Sequence, residues 1–260
     1  MTDLDGSTMT EINLVHCSYH KCLTVYYGRV MQSVFNRCLP WSGGYRHFNS
    51  HLDDFYGDFR NHRVASVNNR FLDCSRLGEF RISRFIRDPR DLVVSGYFYH
   101  RRGAEPWTLI EAPGPEDWYF ANGAIPEGMR EGGQSFAAYL RKIPEEEGLL
   151  AEIEFRRHHF ESMARWPSRH PDIVTRRYED IIGNEAQVFD ELFEFYRLSR
   201  LERALGRRFA RRYTLGKRNA DPHVRDPAPE QWRRHFTPRV RRAFDAGYGA
   251  LVKQLGYPAA

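Results

Sequence analysis

Lys21 and Thr24 stand three residues apart in Ile12 to Tyr27, INLVHCSYHKCLTVYY. An apolar, strand-like run (Ile12, Leu14, Val15) precedes them, and a helix-like segment starts near Val25. A strand, a tight loop with a lysine and a helix N-terminus make a cradle for an anion. Unpaired backbone N–H groups point at it, and the helix dipole adds partial positive charge. The loop is not the nucleotide-triphosphate motif G-x-x-x-x-G-K-[ST]. It has no glycine, and its lysine comes early. A ligand other than ATP or GTP with magnesium is therefore expected.

Three more groups carry chemistry. Arg87 and Ser95 lie eight residues apart in RDPRDLVVS. Tyr178-Glu179-Asp180 follows a strand-like segment, and Arg225 lies seven residues before Trp232. An arginine fork with a nearby hydroxyl suits a phosphate dianion.

The elements that must position these groups alternate between strand and helix. Residues 12–19, 64–68, 81–86 and 172–178 read as strands. Thr24 to about Cys38, Asp88 to about His100, 149–166, Asn184 to Tyr196 and Thr237 to Leu255 read as helices. Asp88 as N-cap, Pro89 at N1 and Asp91 at N3 give a strong helix start, and Thr237-Pro238 gives another. Such alternation predicts an α/β fold, one domain over 1–260 with a mainly parallel central sheet flanked by helices. Residues 1–10 are expected to be a flexible N-terminus. Ligands in such sheets sit at the carboxyl ends of strands, where the Lys21 loop, Arg87 and Tyr178 all fall. Residues 103–133 are rich in Gly, Pro and aromatics (Trp107, Trp118, Tyr119, Phe120) and are expected to form an acceptor lid or loop.

Composition narrows the class. The chain has 260 residues, 41% hydrophobic and 14% aromatic, as a folded globular protein should. Only four of the 39 basic residues are lysines, so a lysine in the loop stands against the chain's default of arginine. The net charge of +5 is modest. The basic clusters, among them Arg203–Arg212 and Arg233–Arg242, are expected on solvated helix faces rather than on nucleic acid. Four cysteines show no metal-ligand spacing. With a polar, acidic N-terminus and no long apolar run, the chain is expected to be cytoplasmic, with reduced thiols and no membrane span.

In their joint order these pieces resemble the sulfotransferases that use 3′-phosphoadenosine 5′-phosphosulfate (PAPS). The first loop of that family reads P-K-S-G-T-T-W; here it is His20-Lys21-Cys22-Leu23-Thr24-Val25-Tyr26. The second motif, R-[ND]-P-[KR]-D-x-x-x-S, is matched at every fixed position from Arg87 to Ser95, and Y-E-D by Tyr178 to Asp180. The last, R-K-G before a tryptophan and F-T, keeps Arg225, Trp232 and Phe236-Thr237 but has Asp226-Pro227 for Lys-Gly. The resemblance covers roughly residues 12–257. It implies transfer of a sulfuryl group from PAPS to a hydroxyl or amine of a small-molecule acceptor, with release of PAP and no required metal.

The resemblance also implies roles. Lys21 would sit on the bridging oxygen and 5′-phosphate, where charge develops. Thr24 and the N–H groups of Cys22, Leu23, Thr24 and Val25 would hold non-bridging oxygens. Arg87, Ser95 and Arg225 would take the 3′-phosphate, and Tyr26 and Tyr178 would line the adenine pocket. Many family members carry K-x-H after the strand before the R-D-P motif. Here that segment is Ser66-Val67-Asn68-Asn69-Arg70, without histidine. His62, Glu105 and His20 are the candidate general bases, and related sulfotransferases can use a carboxylate. Two other readings stay open: a P-loop kinase-like phosphotransferase, and a catalytically inactive nucleotide- or RNA-binding protein.

Overall fold

Apolar residues alternate sides along the first strand. Leu14 enters one buried cluster, while Val15 and Cys17 enter another on the opposite face of the sheet. A strand covered on both faces belongs to a parallel sheet. The computed structural model describes residues 12–214 and 226–259, so the N-terminal ten residues and Arg225 lie outside the described residues.

In chain order the elements are β1 (Asn13–Ser18), α1 (Thr24–Met31), β2 (Tyr45–His47), α2 (Leu52–Asp58), β3 (Val64–Asn68) and β4 (Phe80–Ile86). Then come α3 (Pro89–Arg101), α4 (Phe136–Lys142), α5 (Glu145–Phe155), α6 (Arg157–Ala164) and β5 (Ile173–Arg177). The chain closes with α7 (Tyr178–Ile181), α8 (Glu185–Phe195), α9 (Arg200–Tyr213), α10 (Trp232–His235) and α11 (Pro238–Gln254). The five strands form one sheet in the order β2-β3-β1-β4-β5, and every pairing is parallel. The α/β expectation holds. No helix among the described residues is long and apolar enough to cross a membrane.

The strands agree with the sequence reading to within a residue or so at each end. The last helix starts as its cap predicts, with Thr237 Oγ1 accepting from the Val240 N–H at 3.3 Å. The helix expected over 149–166 is two helices, α5 and α6, and the first begins earlier, at Glu145. β2, α2, α4 and α9 were not anticipated. α9 carries the whole Arg203–Arg212 cluster, and Arg203 and Arg207 both bond Asp190 on α8 at 3.0 and 2.8 Å.

Residues 103–133 hold two short 3₁₀ turns but no longer helix or strand. Their tryptophans nevertheless belong to the core. Trp107 stacks on Phe155 at 5.2 Å, and fully buried Trp118 lies 5.2 Å from Phe136. The segment is thus anchored by aromatic packing on α4 and α5. Tyr119 and Phe120 are the ones left exposed.

Candidate functional site

The turn from β1 into α1 is held by contacts from outside it. The His20 N–H donates to Asn69 Oδ1 at 2.7 Å, just past the end of β3. Thr24 Oγ1 and Ser18 Oγ are 2.8 Å apart across the loop. The chain turns by placing Lys21 (φ 74°) and Leu23 (φ 64°) in the left-handed region. Each costs a non-glycine residue roughly 1–2 kcal/mol. Such alternation of conformers gathers backbone N–H groups into an anion-binding concavity. The Cys22 N–H is not among the available donors, because it donates to the Tyr19 carbonyl at 2.8 Å. The Cys22 side chain is fully buried, and burial pushes its thiol up to about 12. Of the four loop residues expected to hold an anion, Cys22 is therefore a core residue.

Lys21 Nζ lies 3.8 Å from the centre of the Tyr99 ring. Burial lowers its ammonium to about 7; Arg102, Arg87 and Arg156 push the same way and Glu105 opposes them. A buried cation among cations gains most when an anion arrives. The Tyr99 hydroxyl donates to Glu105 Oε1 at 2.8 Å, which places the carboxylate at the same ring. His20 is held well below the ordinary imidazole range by burial and by His100, whose ring stacks on it at 5.3 Å.

One strand over, β4 turns into α3. Asp88 Oδ1 accepts from the Arg90 N–H at 2.9 Å, as an N-cap should. Arg90 also pairs with Asp88 and lies 4.0 Å from the Trp232 ring centre. Asp91 has a different role from the expected helix cap. Its carboxylate accepts from the N–H groups of Glu230 and Trp232 at 2.7 and 3.0 Å. Burial raises it to about 6, against the pull of Arg87. Arg87 is buried, 4.2 Å from the centre of the Tyr178 ring, and Tyr178 donates to the Pro227 carbonyl at 2.9 Å. Arg87 Nε is buried with no hydrogen-bond partner among the described residues. Glu179 accepts from the Asp88 N–H and from the Tyr257 hydroxyl, so the Y-E-D segment ties this turn to the residues that follow α11.

The two turns share a cleft of about 130 Å³. Lys21, Leu23, Thr24, Val25, Tyr26, Arg87, Ser95 and Tyr178 all line it, as does Glu105. Among the described residues, the sequence-predicted ones therefore meet in one place, apart from Cys22 and His62. Tyr26 borders the cleft with its hydroxyl fixed to the Ala210 carbonyl of α9 at 2.9 Å. His62 precedes β3, at the amino end of a parallel sheet whose carboxyl ends carry the cleft. Its Nε2 lies 2.8 Å from Asp58 Oδ2. An unpaired buried donor, a lysine and a hydroxyl around one concavity fit a multiply phosphorylated or sulfated anion. No group of three His, Cys, Asp or Glu side chains among the described residues is placed to hold a metal ion.

A second cavity of about 390 Å³ adjoins the first, and His20, Thr24, Val25, Arg29 and Glu105 line both. Sequence reasoning missed Arg29 and Arg102, which had no motif around them, and Asn69. Asn69 bonds His20 through its oxygen and the Ala121 carbonyl through its nitrogen at 3.2 Å. It thereby ties the loop to residues 103–133. Its location in the segment where the family carries K-x-H was the available signal.

A family model of the sulfotransferase domain matches residues 79–256. Among solved structures, the mouse sulfotransferase SULT7A1 complexed with PAP superposes with a TM-score of 0.55 at 14% identity, covering 98% of this chain and 88% of that one. Retinol dehydratase in complex with androsterone and inactive cofactor PAP gives 0.53 at 15%, covering 94% and 82%. The same enzyme with retinol and PAP gives 0.52 at 14%, covering 97% and 85%. At such identities the likeness is one of fold. No curated protein sequence matches the chain.

Proposed function

The chain belongs to the sulfotransferase family, and we propose that it moves the sulfuryl group of PAPS to a hydroxyl or amine of a small-molecule acceptor and releases PAP. One observation carries this reading: Lys21, Thr24, Arg87 and Ser95, from two separate turns, line a single cleft. Arg87 and Ser95 gain a joint role only when the nucleotide carries a 3′-phosphate. The PAP in the structural neighbours points the same way. The whole chain is taken to act as one domain.

On this reading the donor lies across the carboxyl ends of β1 and β4. Arg87 and Ser95 hold the 3′-phosphate, and Tyr26 and Tyr178 flank the base. Lys21, Thr24 and the free N–H groups of the loop hold the phosphosulfate. The acceptor oxygen approaches from the second cavity, in line with sulfur and the bridging oxygen. The acceptor O–H proton passes to a base, the acceptor O–S bond forms and the bridging S–O bond breaks. The departing phosphate gains charge beside Lys21, which stabilises it more in the transition state than in the ground state. The base is Glu105, the carboxylate that borders both cavities. His20 borders them too, but its backbone is fixed to Asn69 and its ring packs against two other rings.

Calorimetric titration of PAP, AMP and ATP with magnesium tests the donor assignment. PAP binds at least tenfold more tightly than the other two, and Arg87→Ala removes that preference. A charge-assisted bond of about 1.5–3 kcal/mol corresponds to a change of this size or larger. Equal affinity for PAP and AMP sinks the assignment of Arg87 and Ser95, and tight ATP binding favours a kinase-like phosphotransferase.

A further inference from the structure

The second cavity has two unlike walls. One comes from the ends of β2 and β3 and presents neutral hydrogen-bonding side chains: His47, Asn49, Asn68 and Asn69. The other presents Trp107, Phe120 and Phe155. Burial holds His47 down to about 4, so it is an uncharged imidazole at neutral pH. Asn68 accepts from Ser50 Oγ at 3.2 Å through its side-chain oxygen. Its amide NH₂ has no partner among the described residues. Phe120 is 37% exposed, an aromatic face that water covers poorly. The charged side chains of the cavity, Arg29 and Glu105, lie where it joins the donor cleft.

We infer that this cavity takes a neutral polyhydroxyl acceptor of the sugar or cyclitol class. This rests on the sulfotransfer reading and narrows its acceptor. A pyranose or cyclitol ring has one face of C–H groups and hydroxyls around its rim. The face suits Phe120, and the rim suits the amides and imidazole opposite. An aromatic alcohol or a steroid is apolar on both faces and offers few hydroxyls. It would desolvate the polar wall without giving it partners, and such a wall discriminates strongly against a ligand that leaves its groups unpaired. A charged acceptor finds counter-charge only at the junction, in Arg29 and Glu105, and none along the two walls. One rim hydroxyl is then presented at the junction, beside Glu105.

The test separates acceptor from donor. Saturation-transfer NMR on the protein, with and without PAP, compares a panel of neutral sugars and cyclitols (methyl glucoside, methyl galactoside, cellobiose, myo-inositol) with 2-naphthol. Saturation is expected on sugar or cyclitol protons and not on the naphthol. Asn68→Leu and Phe120→Ala each weaken the bound polyol at least tenfold, while PAP affinity stays within twofold. Phe120 is exposed, so its variant has little folding cost to confuse the result. Binding of 2-naphthol with no binding of any polyol overturns the inference, and so does polyol binding indifferent to both substitutions. Failure of the donor reading shows separately, as loss of PAP binding in the wild-type protein.

Discussion

At the end of β4 the chain turns into α3 on bonds made by its own side chains: Asp88 caps, Pro89 starts the helix and Arg90 returns to Asp88. At the end of β1, the neighbouring strand, it turns into α1 with no side-chain cap and with Lys21 and Leu23 at positive φ. Both turns line the same cleft. The first is determined locally, since its residue types prefer the geometry they adopt. The second is imposed: Asn69 holds His20 from β3, Ser18 holds Thr24 from β1, and the strained residues stay where the surroundings put them. Strain of this kind persists only where the rest of the structure over-determines it. The sulfotransferase domain match begins at residue 79, so it takes in the local turn and leaves out the imposed one.

If the imposed turn is the one that acts on the leaving group, its lysine should dominate the rate. Lys21→Ala is expected to lower kcat by roughly 100- to 1,000-fold, the scale for losing one preorganised charge stabiliser. PAP affinity should fall much less. Single-turnover transfer from PAPS with a competent acceptor measures this. A variant that keeps near wild-type kcat and loses only PAP affinity would reverse the comparison, making the loop a mere binding element.

The same lysine gives a pH signature. Before a ligand binds, burial lowers Lys21 to about 7, and the arginines around it push the same way. A phosphate beside it favours the ammonium and raises that value. Binding of PAP therefore takes up a proton above pH 7 and none well below it. The contribution of Lys21 to affinity is full on the acid side and weakens as pH rises through 7, by at most tenfold per unit. Calorimetry at pH 8 in two buffers of different ionisation enthalpy reads the uptake. Lys21→Met should abolish it and leave whatever neighbouring His20 contributes. Uptake that is unchanged in Lys21→Met assigns the proton elsewhere.

The contrast between the turns also explains what could be read from the sequence. The strands and the β4–α3 turn were legible because apolar runs and cap residues act over a few positions. Arg87, Ser95 and Tyr178 followed from that frame. The clamp on the other turn was not legible, because Asn69 and His20 are 49 residues apart and neither type announces the bond. Trp107 and Trp118 show no period because Phe136 and Phe155, from later helices, receive them. α9 is a different miss: Ser199 and Glu202 form a capping box that the sequence displays plainly. His62 is near in sequence to the position of the missing histidine, but it stands before β3 and the cleft lies after it. A parallel strand separates those two ends completely.

The smallest expected effect tests the strain itself. The family motif has glycine where this chain has Leu23, and Leu23 keeps the left-handed conformation that glycine adopts freely (φ 64°, ψ 19°). Comparing Leu23→Gly directly with Leu→Gly elsewhere would mix strain with lost packing, because the side chain is partly buried against the core. Leu23→Ala and Leu23→Gly remove nearly the same packing, so their difference isolates the Cβ. At ordinary positions alanine is the more stable of the two by about 0.4–1 kcal/mol, chiefly through the entropy of the unfolded chain. At a left-handed position the Cβ penalty of roughly 1–2 kcal/mol opposes and exceeds that term. Leu23→Gly should therefore be the more stable variant by about 0.5–1 kcal/mol, or about 1–4 °C in Tm for a chain of this size. Thermal unfolding of the pair, with and without PAP, measures the order. If the alanine variant melts higher, the loop is not strained at Leu23, and the case for an imposed turn rests on Lys21 alone.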